Sequence, residues 1–152
     1  KILSYSFLYA FTLISGITLY PVIANYLVTI GPQPIIMSLA ATVVVFGGLS
    51  LYAATTKRDL TFLSGFLLAA LLAILVIGIF NIFSPLSSTA MLVYSFIGIL
   101  VFSGYVLYDV NRMKQYGVAE DEIPLAALNL YLDFVNLFLF ILRFIGILSS
   151  DD

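Results

Sequence analysis

Leu125-Ala-Ala-Leu-Asn-Leu-Tyr-Leu-Asp-Phe-Val-Asn-Leu-Phe-Leu-Phe-Ile-Leu142 is a run fit for lipid that holds one carboxylate, Asp133. Upstream, the apolar stretch from Tyr94 to Tyr108 meets a second carboxylate, Asp109. A charged side chain at membrane depth costs about 2.5–3.5 kcal/mol or more unless it is protonated, paired or wetted. The two aspartates lie 24 positions apart, and midway between them Ala119-Glu120-Asp121-Glu122 is charged and belongs in water. A chain folded back there brings both carboxyls onto neighbouring antiparallel helices. At a rise of about 1.5 Å per residue, Asp109 lies roughly 10–12 Å from the end of its helix and Asp133 roughly 14–15 Å from the start of its own.

Working outward, the composition sets the class. The chain is 62% hydrophobic and 9% charged, where a soluble domain has about 25% charged residues, and its mean hydropathy is +1.16. This is the composition of an all-α integral membrane protein. Net charge is −2, and the six basic residues are scattered, so no nucleic-acid footprint exists. Absence of cysteine excludes disulfides and thiolate chemistry, and absence of histidine removes the usual zinc ligand and near-neutral switch. Proton sensing falls to the carboxylates.

Five segments reach the length of about 20 apolar residues that a span requires. They run over about Leu3–Ile30, with a kink expected at Pro21, then Ile35–Ala54, Leu60–Phe83, Ser87–Tyr116 and Pro124–Leu148. Gly31-Pro32-Gln33-Pro34 ends the first, because proline lacks a donor and disfavours helix in the preceding residue. Ser87 or Ser88 suits an N-cap, Gly117 a left-handed C-cap and Pro124 a first-turn position. Lys1 leads directly into apolar sequence without a signal-peptide pattern. The expectation is a single transmembrane domain over residues 1–152, with its N-terminal part lying upstream of Lys1.

Lys1, Lys57, Arg58, Arg112 and Lys114 fall on one side of the five-span path, which the positive-inside rule assigns to the cytoplasm. Asp151 and Asp152 then face outward. Ser95, Gly98, Phe102, Tyr105, Asp109 and Arg112 recur at three- and four-residue steps on the fourth helix, as do Asn129, Asp133, Asn136 and Arg143 on the fifth. A polar stripe faces protein or water, not lipid, so the fifth helix belongs in the middle of the bundle. Gly16, Ala40, Ala41, Gly47, Gly48, Gly65 and Gly78 are expected to let neighbours approach closely.

Two carboxyls meeting in a poorly hydrated site cannot both ionise cheaply, and they titrate as a pair. Tyr105 and Tyr108 are candidate donors to it, and Asn129 and Asn136 candidate amide oxygens. These hard ligands suit calcium, sodium or a proton. Two carboxylates and two amides fall short of the six to eight oxygens of a tight calcium site, so Asp109 and Asp133 fit weak, transient binding. Simpler readings exist. Asp109 can pair with Arg112 at the interface, Arg143 can snorkel to the outer interface or pair elsewhere in the bundle, the asparagines can be interhelical glue, and Tyr116 suits an interface anchor.

Gly104-Tyr-Val-Leu-Tyr-Asp-Val-Asn-Arg112, Leu130-Tyr-Leu-Asp-Phe-Val-Asn136 and Arg143-Phe-Ile-Gly-Ile-Leu-Ser-Ser150 resemble the Bax inhibitor motif family, in its bacterial branch. Ser15-Gly-Ile-Thr18, Gly31-Pro32, Ala40-Ala-Thr-Val-Val-Val-Phe46 and Gly78-Ile-Phe-Asn-Ile-Phe-Ser-Pro85 extend the resemblance over essentially all 152 residues. The resemblance implies helices three to seven of a seven-helix fold with a central last helix. It also implies a pH-sensitive calcium leak across a bacterial plasma membrane, with Asp109 and Asp133 as the sensing pair. Calcium ions and protons are then the partners within the bilayer, no cofactor is required, and calcium is the transported ion. The family's latch arginine belongs to its second helix, upstream of Lys1, so no residue here takes that role.

Other functions fit the residues less well. Tyr108-Asp109 and Leu132-Asp133 resemble the dyad of intramembrane aspartyl proteases, which suits activation of water. Those enzymes carry Gly-x-Gly-Asp and Pro-Ala-Leu motifs, whereas Leu130-Tyr131-Leu132 precedes Asp133 here and Ile123-Pro124-Leu125 is a distant echo. The expectation is therefore a protein that is not an enzyme. A non-conducting regulatory scaffold and a proton-coupled transporter are the remaining readings.

Overall fold

Runs of about 20 apolar residues satisfy every backbone polar group internally only as helix, and helix is what forms. The computed structural model describes residues 5–150. It comprises α1 (Tyr5–Ile30), α2 (Pro32–Thr55), α3 (Ser64–Phe83), α4 (Ser88–Tyr116) and α5 (Ile123–Ser150), with single 3₁₀ turns at Thr61–Leu63 and Glu120–Glu122. All five helices are long and apolar enough to cross a membrane. Leu3, Lys1, Asp151 and Asp152, which entered the readings of the first span and of sidedness, lie outside the described residues.

The helix ends follow local chemistry. Ser87 caps α4, its hydroxyl accepting from the Ala90 N–H at 3.2 Å. Gly117 ends α4 with φ 75° and ψ 179°. Its φ is positive as expected, but its ψ is extended, so it is not the left-handed helical cap the sequence suggested. The α1–α2 connection corrects the sequence reading further. It is Gly31 alone, at φ 85°, and Pro32 and Pro34 begin α2 instead of filling a loop. Proline's missing N–H costs nothing in a first turn. Within the spans, hydroxyls bond back along their own helix, as Ser38 does to the Pro34 carbonyl at 2.7 Å and Thr42 to the Ser38 carbonyl at 2.6 Å.

The buried core gathers Ile74, Val101, Phe102, Leu137, Phe140 and Ile141 from α3, α4 and α5. A third of the apolar window of α4 and of α5 is buried, against 6% in α1 and 11% in α2 and in α3. α5 packs on α1, α2 and α4, and α3 packs on α4. The centre is therefore the α4–α5 hairpin, with α2 lying against both. Large apolar side chains such as Val28, Ile82 and Phe83 cover the outside, as lipid requires.

The close approaches are not where the first reading put them. A β-carbon on Gly16, Gly47, Gly48 or Gly65 would meet nothing within 4 Å. Those glycines face outward, because composition does not reveal the rotation of a helix that is apolar all round. Of the expected set, Gly78 is close-packed, 3.1 Å from the Tyr94 hydroxyl, and Ala41 packs against the buried core. The tight contacts are Gly98 under the Phe140 ring and Gly104 against Leu67.

Candidate functional site

The hairpin turn carries Asp109 on α4 beside Asp133 on α5, close enough for the two carboxyls to interact. Asp133 is buried, with 5% of its surface exposed, and its Oδ2 has no hydrogen-bond donor. An ionised carboxylate only accepts. A hydrogen bond between the two carboxyls would therefore need a proton on one partner.

On the turn side of the pair lies a cavity of about 90 Å³, lined by Asp109, Arg112, Glu122 and Asn129 with the apolar Leu125 and Ala126. A water needs about 10–15 Å³ of such space, so the cavity has room for several. It opens Asp109 toward the charged turn. Arg112 is near enough to act on Asp109 electrostatically, so Asp109 stands between a buried acid and a cation of the cavity wall. Arg112 acts on Asp109 as a neighbouring charge only, and among the described residues no ion pair joins the two.

The remaining expected site residues divide. Tyr105 lies near both aspartates and its ring packs on Phe102, but among the described residues neither Tyr105 nor Tyr108 donates the expected hydrogen bond to the pair. Asn129 lines the cavity. Asn136 instead donates to the Leu132 carbonyl at 2.9 Å, within its own helix. Arg143 lies over the rings of Tyr94 and Phe140, at 5.8 and 5.4 Å, so it pairs with aromatic faces within the bundle, the second of the two readings for it.

Sequence reasoning missed one polar centre. Asn111, two residues after Asp109, is fully buried. Its Oδ1 accepts from the Leu60 N–H at 2.8 Å, and its Nδ2 donates to the carbonyls of Ala53 and Arg58, both at 3.1 Å. Around it, Gln115 donates to the Arg58 carbonyl at 2.8 Å and Lys114 to the Thr56 carbonyl. Tyr116, read as an interface anchor, donates to Asp59 at 2.5 Å. Hydrogen bonds from the Thr61 hydroxyl, then from Tyr116, then from the Thr61 N–H, hold the Asp59 carboxyl below its ordinary value. The end of α4 is thereby clamped to the α2–α3 corner, which brings Lys57, Arg58, Arg112 and Lys114 to one end of the bundle. The available signal was the density of polar residues in the last two turns of α4.

These features define a class: a helical membrane protein with five helices long and apolar enough to span, and two neighbouring carboxyls between the last two. Its sequence matches the model of the family described as inhibitor of apoptosis-promoting Bax1 over residues 1–150, and the chain belongs to that family. It is 37% identical over 145 residues to an uncharacterized membrane protein of Vibrio cholerae, covering 95% of this chain and 64% of that one. It is 39% identical over 122 residues to the inner membrane protein YbhL of Escherichia coli, covering 72% and 52%. To Bax inhibitor 1 of Schizosaccharomyces pombe it is 33% identical over 150 residues, covering 98% and 54%. The chain spans about three-fifths of the length of the first curated relatives it matches.

Proposed function

We propose that the protein is a pH-sensitive cation leak that passes calcium, with Asp109 and Asp133 as the proton-sharing pair that sets its response. The observation that supports this reading is the buried Asp133 carboxyl, whose Oδ2 has no donor and whose partner across the hairpin is another acid. With one proton the pair carries one negative charge and holds the hairpin together. Loss of that proton sets two like charges side by side, which parts the helices or draws in a cation. The cavity beside Asp109 supplies the exchange of protons and ions with solvent.

Calcium is cargo in this reading. Among the described residues no group of three or more acidic, histidine or cysteine side chains converges. The pair with Asn129 therefore offers few of the six to eight oxygens that tight calcium binding takes, which suits passage. With the basic end cytoplasmic, the cavity faces the cell interior, and a bacterial plasma membrane fits the inner-membrane relative.

The test is calcium entry into liposomes holding the full chain, measured across a pH series. Wild type shows flux that changes with pH, and Asp109→Asn and Asp133→Asn each flatten the curve. Curves of unchanged shape in both variants would falsify the assignment.

A further inference from the structure

Asp109 and Asn111 are two residues apart on α4, about 200° around the helix, and they face different neighbours. Asp109 meets Asp133 of α5. Asn111 is buried in the α2–α3 corner, with its amide oxygen and nitrogen both engaged by backbone groups there. A helix held on opposite sides has little freedom to turn. Rotating α4 to part the carboxyls carries Asn111 out of its three hydrogen bonds.

We propose that Asn111 is a positioning residue for the carboxyl pair: bonded to the α2–α3 corner, it sets the rotation of α4 and so the approach of Asp109 to Asp133. The inference rests on the leak reading and names the element against which the hairpin works. The Arg58 carbonyl is the focus of the anchor, since it accepts from both Asn111 and Gln115. Tyr116 closes the outer edge on Asp59.

The groups that bear on Asp109 are few. Asp133 faces it from α5, Arg112 and Glu122 share its cavity, and Tyr105 and Tyr108 lie beside it on its own helix. α3 brings no titratable residue, and Lys57, Arg58 and Asp59 of the corner lie on the Asn111 side. Replacing Asn111 by an uncharged residue removes no charge from this set. A change in the pH response therefore reports a change in geometry.

The experiment is calcium flux against pH in liposomes holding the full chain, for wild type, Asn111→Leu and the pair Gln115→Leu with Tyr116→Phe. The second variant loosens the same anchor from its outer side and serves if Asn111→Leu does not fold. The expected result is a midpoint displaced by about half a pH unit or more, and no further change when Asn111→Leu is added to Asp109→Asn. A folded variant with the wild-type midpoint overturns the proposal while leaving the leak reading intact. A wild-type flux that does not respond to pH overturns both.

Discussion

Gly98 of α4 lies directly beneath the ring of Phe140 of α5, close enough that a β-carbon at residue 98 would overlap the ring. Phe140 also stacks on Phe102 at 5.7 Å between centroids and lies beside Tyr94 at 5.5 Å. The two central helices thus approach through a gap that only glycine leaves open. Bulk at this point pushes apart the hairpin that carries both aspartates.

Gly98→Val is expected to destabilise the protein by about 1–3 kcal/mol, the usual cost of overpacking. Gly48→Ala is the contrast, because nothing lies within 4 Å of its β-carbon position. It is expected to be neutral or to stabilise by up to about 1 kcal/mol, through helix propensity. Thermal unfolding in detergent checks both, and equal losses in the two would contradict the packing assigned to Gly98.

Arg143→Ala is expected to cost about 0.5–2 kcal/mol, from loss of the guanidinium over Tyr94 and Phe140. Arg143→Lys recovers only part of it, since a compact ammonium does not stack as a planar guanidinium does. Ten residues, or roughly 15 Å of helix, separate Arg143 from Asp133. Both variants should therefore keep the wild-type midpoint of the flux–pH curve. Thermal unfolding and flux together check this, and a displaced midpoint would place Arg143 in the sensing apparatus.

Asp59 gives a pH dependence of its own. Its folded value lies below the ordinary 3.8 because Thr61 and Tyr116 donate to the ionised form. The stabilisation it brings to the α2–α3 corner is complete above that ordinary value. It is lost as pH falls through the lower folded value. Amide exchange at Thr61, whose N–H donates to Asp59 at 2.9 Å, should quicken over that acid range relative to a core amide such as Leu137. Tyr116→Phe removes one donor and should move the onset to higher pH. An onset unmoved in that variant would deny Tyr116 its part in the corner.

Much of this was legible before the structure. Asp109 and Asp133 announced themselves because each breaks an apolar run, and their spacing about a charged turn fixed their relative depth. Ser87 marked the start of α4 as its cap, and Gly117 marked its end, though not in the left-handed helical conformation expected. What pattern could not supply was rotation. α1, α2 and α3 are apolar on every side, so nothing in their order of residues says that Gly47 and Gly48 look outward. Pro32 misled for a related reason, since a proline that ends one helix and one that begins the next read alike. Asn111 went unnoticed because it lies off the polar stripe, and its partners are backbone groups, which carry no residue-type signal.

Gly31 has a mechanical consequence. A joint of one residue between α1 and α2 has no slack. Its positive φ makes a β-carbon there strained, so the hinge resists substitution as well as stretching. Neither span can slide along its axis like a piston without dragging the other. Since α2 lies against both central helices and α1 against α5, a tug delivered at either one reaches the middle of the bundle as a joint displacement of the pair.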